Sequence, residues 1–202
     1  NKNVDFKKIL SISFSGQMHG ATCLNQEGKI IRPSILWNDT RSFKECESMM
    51  DINPDIMDIT GNLAMPGFTA PKIAWMREHE PEAFKAIDKV LLPKDYLRFY
   101  LSNEFFTDMS DASGTYWLNV GERKWSKKLL DLCDLTEDNM PQLCEGTAQT
   151  GVVSKKIAET YGFDYACKII GGAGDNAAGA IGLGLISEGE GSISLGTSGV
   201  IF

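Results

Sequence analysis

An α/β domain is the fold class this sequence predicts, on two observations. Short β-compatible runs alternate with stretches whose apolar residues recur at helical spacing. Two of the runs, "ILSIS" and "CKII", lead into glycine-rich turns, "SGQMHGA" and "GGAGDNA", which carry a histidine and an aspartate. At 202 residues, with 43% apolar and 23% charged side chains, the chain can bury a full core without covalent staples.

Each element has its own signal. Ile9 to Ser15 reads as a strand. Glu27-Gly28 turns the chain, and Lys29 to Arg32 returns as a second strand, making a hairpin. Thr40 is placed to cap a helix whose apolar side is Phe43, Cys46, Met49 and Met50. Thr69 caps another, with Pro71 tolerated in the first turn. That helix should end near Glu80, because Pro81 disfavours helical geometry just before it, and Pro81 opens the next. "LLPKDYLRFYLS" follows as a helix with Leu97, Tyr100 and Leu101 on its inner side. "EFFTDMSDASGTYWLN" reads as a strand, a polar turn and an aromatic strand. "SKKLLDLCDL" and "TEDNMPQL" are short helices, and "SKKIAETYG" runs from a Ser154 cap to a Gly162 stop. A strand then leads into a small-residue helix starting near Asn176. "GSISLGTSGVIF" closes the chain as strand, tight turn and strand. Repeats and low-complexity tracts are absent from the sequence.

Composition narrows the function classes. A net charge of −7 without a Lys/Arg block argues against a nucleic-acid partner. An anionic ligand must therefore be held by local backbone geometry rather than by a bulk positive field. Stretches of ~18 apolar residues are missing, so no membrane partner is expected. Five cysteines without a C-x-x-C read as free thiols in a reducing, cytoplasmic compartment. The sequon Asn38-Asp39-Thr40 has no secretory context and is read as chance. A start at Asn1 without methionine and an end inside an apolar run lead to the expectation of an internal piece of a longer protein.

Four stretches carry chemistry. In "GGAGDNAAGA", Asp175 lies where a glycine turn becomes a helix. Free amides and the helix dipole favour an anion there. Such an aspartate can take a proton from a substrate hydroxyl or simply cap the helix. Gly172 to Ala177 also spells G-x-G-x-x-A, a dinucleotide fingerprint. Against it, Asp175 would face a pyrophosphate, and Ser192 to Leu195 ends at Gly196 rather than at an acidic residue. In "LGTSGV", Gly196, Thr197, Ser198 and Gly199 expose successive N–H groups that can nest a phosphate, or form an ordinary hairpin turn. In "SGQMHGA", His19 can be a base, a metal ligand or a hydrogen-bonding contact. With His79 in a charged, solvated stretch, a histidine metal cluster is not supported. In "LWNDTR", Trp37 offers a flat apolar face suited to a sugar ring, with Asn38 and Asp39 beside it, or is a buried tryptophan before a helix.

In this order, "SGQMHGA", "RPSILWNDTRS", "GNLAMPGFTAPKIAW", "LLPKDYLR", "TDMSDASGT", "GGAGDNAAGAIG" and "SLGTSGV" resemble the FGGY family of carbohydrate kinases over nearly the whole chain. The resemblance implies an actin-like, ribonuclease-H-like sugar-kinase fold. Residues 1–202 would be a partial N-terminal domain, without its opening strands and its adenosine-closing domain. It implies ATP-dependent phosphorylation of D-xylulose to D-xylulose 5-phosphate, with ATP and Mg²⁺ required. Gln17-Met18-His19 directs the substrate choice. Another sugar or polyol kinase, or a non-catalytic sugar-binding module on the same fold, are the alternatives. Asp175 matches the family's catalytic base. Met18, His19 and Asn176, with Asp175, match sugar contacts, and Gly196, Thr197 and Ser198 match a phosphate turn. An Asp-Leu-Gly-Thr phosphate hairpin, whose aspartate helps hold the metal in this family, is not found in the sequence. The chain alone is therefore expected to be inactive. A homodimer is compatible with the sequence.

Overall fold

The computed structural model describes residues 4–52, 55–195 and 199–202. In chain order, β1 (Ser11–Ile12), β2 (Ser15–Gly16) and β3 (Thr22–Leu24) precede four helices. These are α1 (Phe43–Ile52), α2 (Ile56–Thr60), α3 (Thr69–His79) and α4 (Pro81–Lys85). β4 (Lys89–Leu91) leads through α5 (Pro93–Ser102) to β5 (Phe106–Asp108) and α6 (Met109–Ala112). A hairpin, β6 (Leu118–Asn119) and β7 (Lys124–Trp125), precedes α7 (Lys127–Asp131). β8 (Gln142–Cys144), β9 (Gln149–Val152) and α8 (Lys155–Tyr161) follow. The chain then runs through β10 (Lys168–Ile170), β11 (Ala173–Gly174) and α9 (Asp175–Gly182) to the hairpin β12 (Ile193–Leu195) and β13 (Gly199–Ile201).

The expected first strand divides in two. β1 pairs in parallel with β10, and β2 pairs in parallel with β11. The break follows from the partner, which is irregular at Ile169/Ile170 and turns at Gly172 with φ +89. A Cβ on Gly172 would collide with the Phe14 carbonyl at 2.1 Å, so only glycine lets the two backbones pass this closely. The Glu27-Gly28 turn forms as expected, with Asn25 Oδ1 accepting from the N–H groups of Glu27 and Lys29. Its return arm is reduced to a single Leu24–Ile30 bridge, because β3 takes β4 as its antiparallel partner instead.

Helix starts also differ from expectation. Asp39 Oδ1 accepts from the Arg41 N–H and holds a turn, so α1 begins at Phe43 rather than at a Thr40 cap. Phe68, not Thr69, flanks α3, and the Thr69 hydroxyl is spent elsewhere. Pro81 opens α4 as anticipated. "TEDNMPQL" yields only a 3-10 turn closed by Thr136 and Asn139, and then β8, which pairs in parallel with β5. The expected aromatic strand is interrupted because Tyr116 adopts φ +71, and both Tyr116 and Trp117 are buried.

The main core joins α1, α3, α7 and the Tyr116-Trp117 segment. Fully buried Ile73, Leu129 and Leu130 each contribute about 1.5–3 kcal/mol relative to exposure. A smaller cluster of Val153, Ile157, Ala158, Cys167 and Ile169 backs the β1–β10–β9 sheet. All five cysteines are free, and burial pushes the Cys23 thiol up to about 12. Among the described residues no helix is long and apolar enough to cross a membrane.

The largest correction concerns α5. Leu97 is 54% exposed and Tyr100 is about half exposed, while Lys94, Asp95 and Arg98 are buried. The polar face turns inward because charges from β5 and α6 meet it. Lys94 Nζ pairs with Asp95 at 2.8 Å, with Asp108 at 2.5 Å and with Asp111 at 3.1 Å. Arg98 pairs with Asp95 and donates to the carbonyls of Phe106 and Gly171. Unpaired, such charges would be too costly to bury.

Candidate active site

Parallel pairing of β2 with β11, Ser15 opposite Ala173 and Gly16 opposite Gly174, is what builds the site. Both strands end in the same direction, so the turns that follow them emerge side by side. One turn carries Met18 and His19, and the other opens α9 with Asp175 and Asn176. Helix–strand units of this kind gather ligand groups at strand carboxyl ends. Met18, His19, Trp37, Asp175, Asn176 and Val200 line one cavity of about 290 Å³.

Glycines make the close approach feasible. A Cβ on Gly174 would lie 2.8 Å from Met18 Cγ, and one on Gly114 would lie 2.6 Å from His19 Cε1. His19 itself adopts φ +67, in the left-handed region that non-glycine residues seldom occupy. Its carbonyl accepts from Lys72 Nζ at 2.8 Å and from the Thr69 hydroxyl at 3.1 Å.

Two neighbours touch the His19 ring. Nδ1 lies 2.8 Å from the Gly114 carbonyl, and Phe68 packs at 4.8 Å between centroids. Burial lowers the ring's pKa and the nearby Lys72 charge adds to this, against the Gly114 carbonyl and Asp175. A neutral ring that donates through Nδ1–H keeps Nε2 as an acceptor. This arrangement lets His19 accept a hydrogen bond through Nε2.

Asp175 is the first residue of α9 and is exposed to the cavity. Gly174 holds the cap position, and among the described residues Asp175 Oδ1 accepts from the adjacent Asn176 N–H, at 2.8 Å. The carboxylate is not consumed as a cap and can take a proton. Beneath it, the Gly174 N–H donates to Ser110 Oγ at 3.1 Å, and Ser110 donates to Asp108 in the buried charge cluster. The loop bearing Asp175 is thereby tied to that cluster at Gly171 and at Gly174.

Trp37 is 50% exposed and faces the cavity, so it is not a buried tryptophan. Asn38 and Asp39 do not join it. Asp39 is held by a bidentate pair with Arg41, at 2.9 and 2.7 Å, and Arg41 lies over the Trp75 ring. His79 is exposed and stacks on Trp75, away from the site. Gly196, Thr197 and Ser198 lie outside the described residues. Among the described residues no group of three or more His, Cys, Asp or Glu side chains is placed to hold a metal ion. Lys72 and Ser110 escaped the sequence reading. A lysine inside the apolar run of "APKIAW" was the available signal for the first, and Ser110 offered none.

The model of the FGGY family of carbohydrate kinases, N-terminal domain, matches residues 1–182. The chain is similar to a xylulose kinase of Escherichia coli, with 50% identity over 194 residues, 96% of this chain and 40% of the relative. It is similar in structure to a xyloylose kinase from Brucella ovis, with a TM-score of 0.93, 49% identity and coverage of 97% and 40% of the two chains. A gluconate kinase from Lactobacillus acidophilus also matches, with a TM-score of 0.91, 28% identity and coverage of 99% and 41%. The chain thus spans about 40% of the length of the curated relatives it matches.

Proposed function

The chain belongs to the FGGY family of carbohydrate kinases, and from that premise we propose that it forms the sugar-holding part of the N-terminal domain of a D-xylulose kinase. In this reading the whole protein transfers a phosphoryl group from ATP to the terminal hydroxyl of D-xylulose, giving D-xylulose 5-phosphate. The observation that carries it is the meeting of Asp175, His19 and Trp37 at one cavity.

Each residue has a physical task. Trp37 covers the apolar C–H side of the sugar with its ring face. His19 Nε2 accepts a hydrogen bond from one hydroxyl, and the Asn176 amide is placed beside another. Met18 fills the wall between them. Asp175 takes the proton of the attacking hydroxyl as its oxygen bonds to phosphorus, so the bridging oxygen leaves with ADP and the proton rests on the carboxylate. ATP would be met by Gly196, Thr197 and Ser198, which lie outside the described residues. Mg²⁺ normally neutralises developing phosphate charge in such transfers. The described residues offer no group of three or more His, Cys, Asp or Glu side chains to hold it.

Similarity to a xylulose kinase over 96% of this chain supports D-xylulose as acceptor. Similarity to a gluconate kinase keeps a sugar acid as the second reading. Calorimetry on the full-length protein separates them. D-xylulose should bind in the presence and absence of ATP and Mg²⁺, and D-gluconate and glycerol should bind far more weakly. Preference for D-gluconate would replace the substrate assignment. The isolated 202-residue chain should show negligible turnover in an ATP-coupled assay.

A further inference from the structure

We propose that Lys72 is a positioning residue for sugar binding, acting by holding the His19 carbonyl so that the imidazole points into the cavity. The proposal deepens the sugar-kinase reading and rests on it. Lys72 is not among the cavity-lining residues. It sits on α3, wholly buried, and its Nζ donates to the carbonyls of His19 and Gly67. Thr69, one turn earlier on α3, donates to the same His19 carbonyl. Two donors from the start of one helix therefore grip one oxygen.

The gripped peptide is the one that needs holding. A residue with φ +67 relaxes toward extended or right-handed geometry unless its surroundings over-determine it. The His19 φ sets the direction of Cα–Cβ, and with it whether Nδ1 reaches the Gly114 carbonyl. Freeing the carbonyl removes the anchor on the His19 Cα–C bond, so that φ can leave +67 and carry Cβ and the ring off Gly114 and the cavity. The cost of placing the ammonium there is visible: burial pushes Lys72 down to about 8, although Asp39 draws it upward. A methionine would fill the same space without that penalty, so what lysine adds is the grip on the two carbonyls.

A double-mutant cycle in the full-length kinase tests the claim. Lys72→Met should raise the KM for D-xylulose roughly 10- to 100-fold, the range for losing a charge-assisted hydrogen bond, with kcat and the KM for ATP little changed. In a His19→Ala background the same substitution should add under about threefold, because its effect passes through the ring. Equal effects in both backgrounds would overturn the proposal, as would a fall in kcat with KM unchanged. Should Lys72→Met fail to fold, Thr69→Val removes the other donor to the same oxygen. A several-fold rise in KM is expected, again absent without His19, and equal effects would count against the claim. A crystal structure of Lys72→Arg or Lys72→Met separates this from the substrate assignment. In the Met variant His19 should leave φ near +67 and lose Gly114. An unmoved His19 overturns the positioning role whichever sugar binds. If the wild type fails to bind D-xylulose, the substrate assignment falls and the structural result still stands.

Discussion

His19 shows how neighbours decide a side chain's chemistry. Its Nδ1 is committed to Gly114, burial keeps the ring neutral, and Nε2 remains to accept. The glycine at 114 is part of that arrangement, since a Cβ there would sit 2.7 Å from Nδ1. Gly114→Ala should therefore push the ring aside and weaken sugar binding about 10- to 100-fold by calorimetry, an overpacking cost of ~1–3 kcal/mol. Unchanged affinity would show that the ring is not a sugar contact. Asp175 makes the opposite kind of prediction. Asp175→Ala in the full-length kinase should lower kcat by about 10²- to 10⁴-fold while the sugar Kd moves far less. Near-normal turnover would remove it as the base. Much of this residue-level picture was legible, because glycines flanking a histidine and an aspartate mark close approach. Lys72 was not legible, since its partners are backbone carbonyls supplied by the turn at His19 and by Gly67, which a local pattern does not reveal.

At the scale of elements, α5 is the instructive failure. Its apolar residues mark an inner side by periodicity, yet the buried side is Lys94, Asp95, Arg98 and Ser102. Helical periodicity counts apolar residues and cannot know that Asp108 and Asp111 will arrive from β5 and α6. Burial alone would push the Lys94 ammonium down, but Asp95, Asp111 and Asp108 outweigh it and hold its pKa above the ordinary lysine range. Lys94→Met would strand the buried carboxylates of Asp108 and Asp111, while Asp95 keeps Arg98. It should cost about 3–5 kcal/mol in chemical denaturation, and a near-neutral result would refute the cluster's structural weight. Asp111 pays for the crowding. Burial raises its pKa to about 7, with Asp95 and Asp108 adding to the shift and Lys94 opposing it. Its folded value thus exceeds the unfolded value of ~3.9, so its contribution is complete below about pH 4 and is lost as pH rises through 7. Thermal midpoints should fall between pH 5 and 8. Asp111→Asn should flatten that slope and match or exceed the wild type at pH 8. An unaltered slope would contradict the assignment. The helices α3, α4 and α8 were readable because Pro71, Pro81 and Gly162 punctuate them locally. The divided first strand was not, since its break is dictated by Gly172 near the other end of the chain.

For the molecule as a whole, the α/β class and the actin-like kinase fold were legible, and what the structure adds is the pairing that gives them a function. Segments from the two ends of the chain become parallel neighbours, and their turns share one cavity. Long-range pairing of this kind has no local sequence signal beyond the two glycine turns themselves. The buried charge cluster then fixes the loop bearing Asp175 from below through Gly171 and Ser110, while α3 fixes the histidine turn from the side. The central claim is that this cavity is the acceptor site of a sugar kinase. Its most direct test is the formation of D-xylulose 5-phosphate from ATP and D-xylulose by the full-length protein and its Asp175→Ala variant, with sugar binding measured in parallel. The account predicts product from the wild type, almost none from the variant, and D-xylulose bound by both. Product formation at similar rates by both proteins, or no binding of D-xylulose by the wild type, would contradict it.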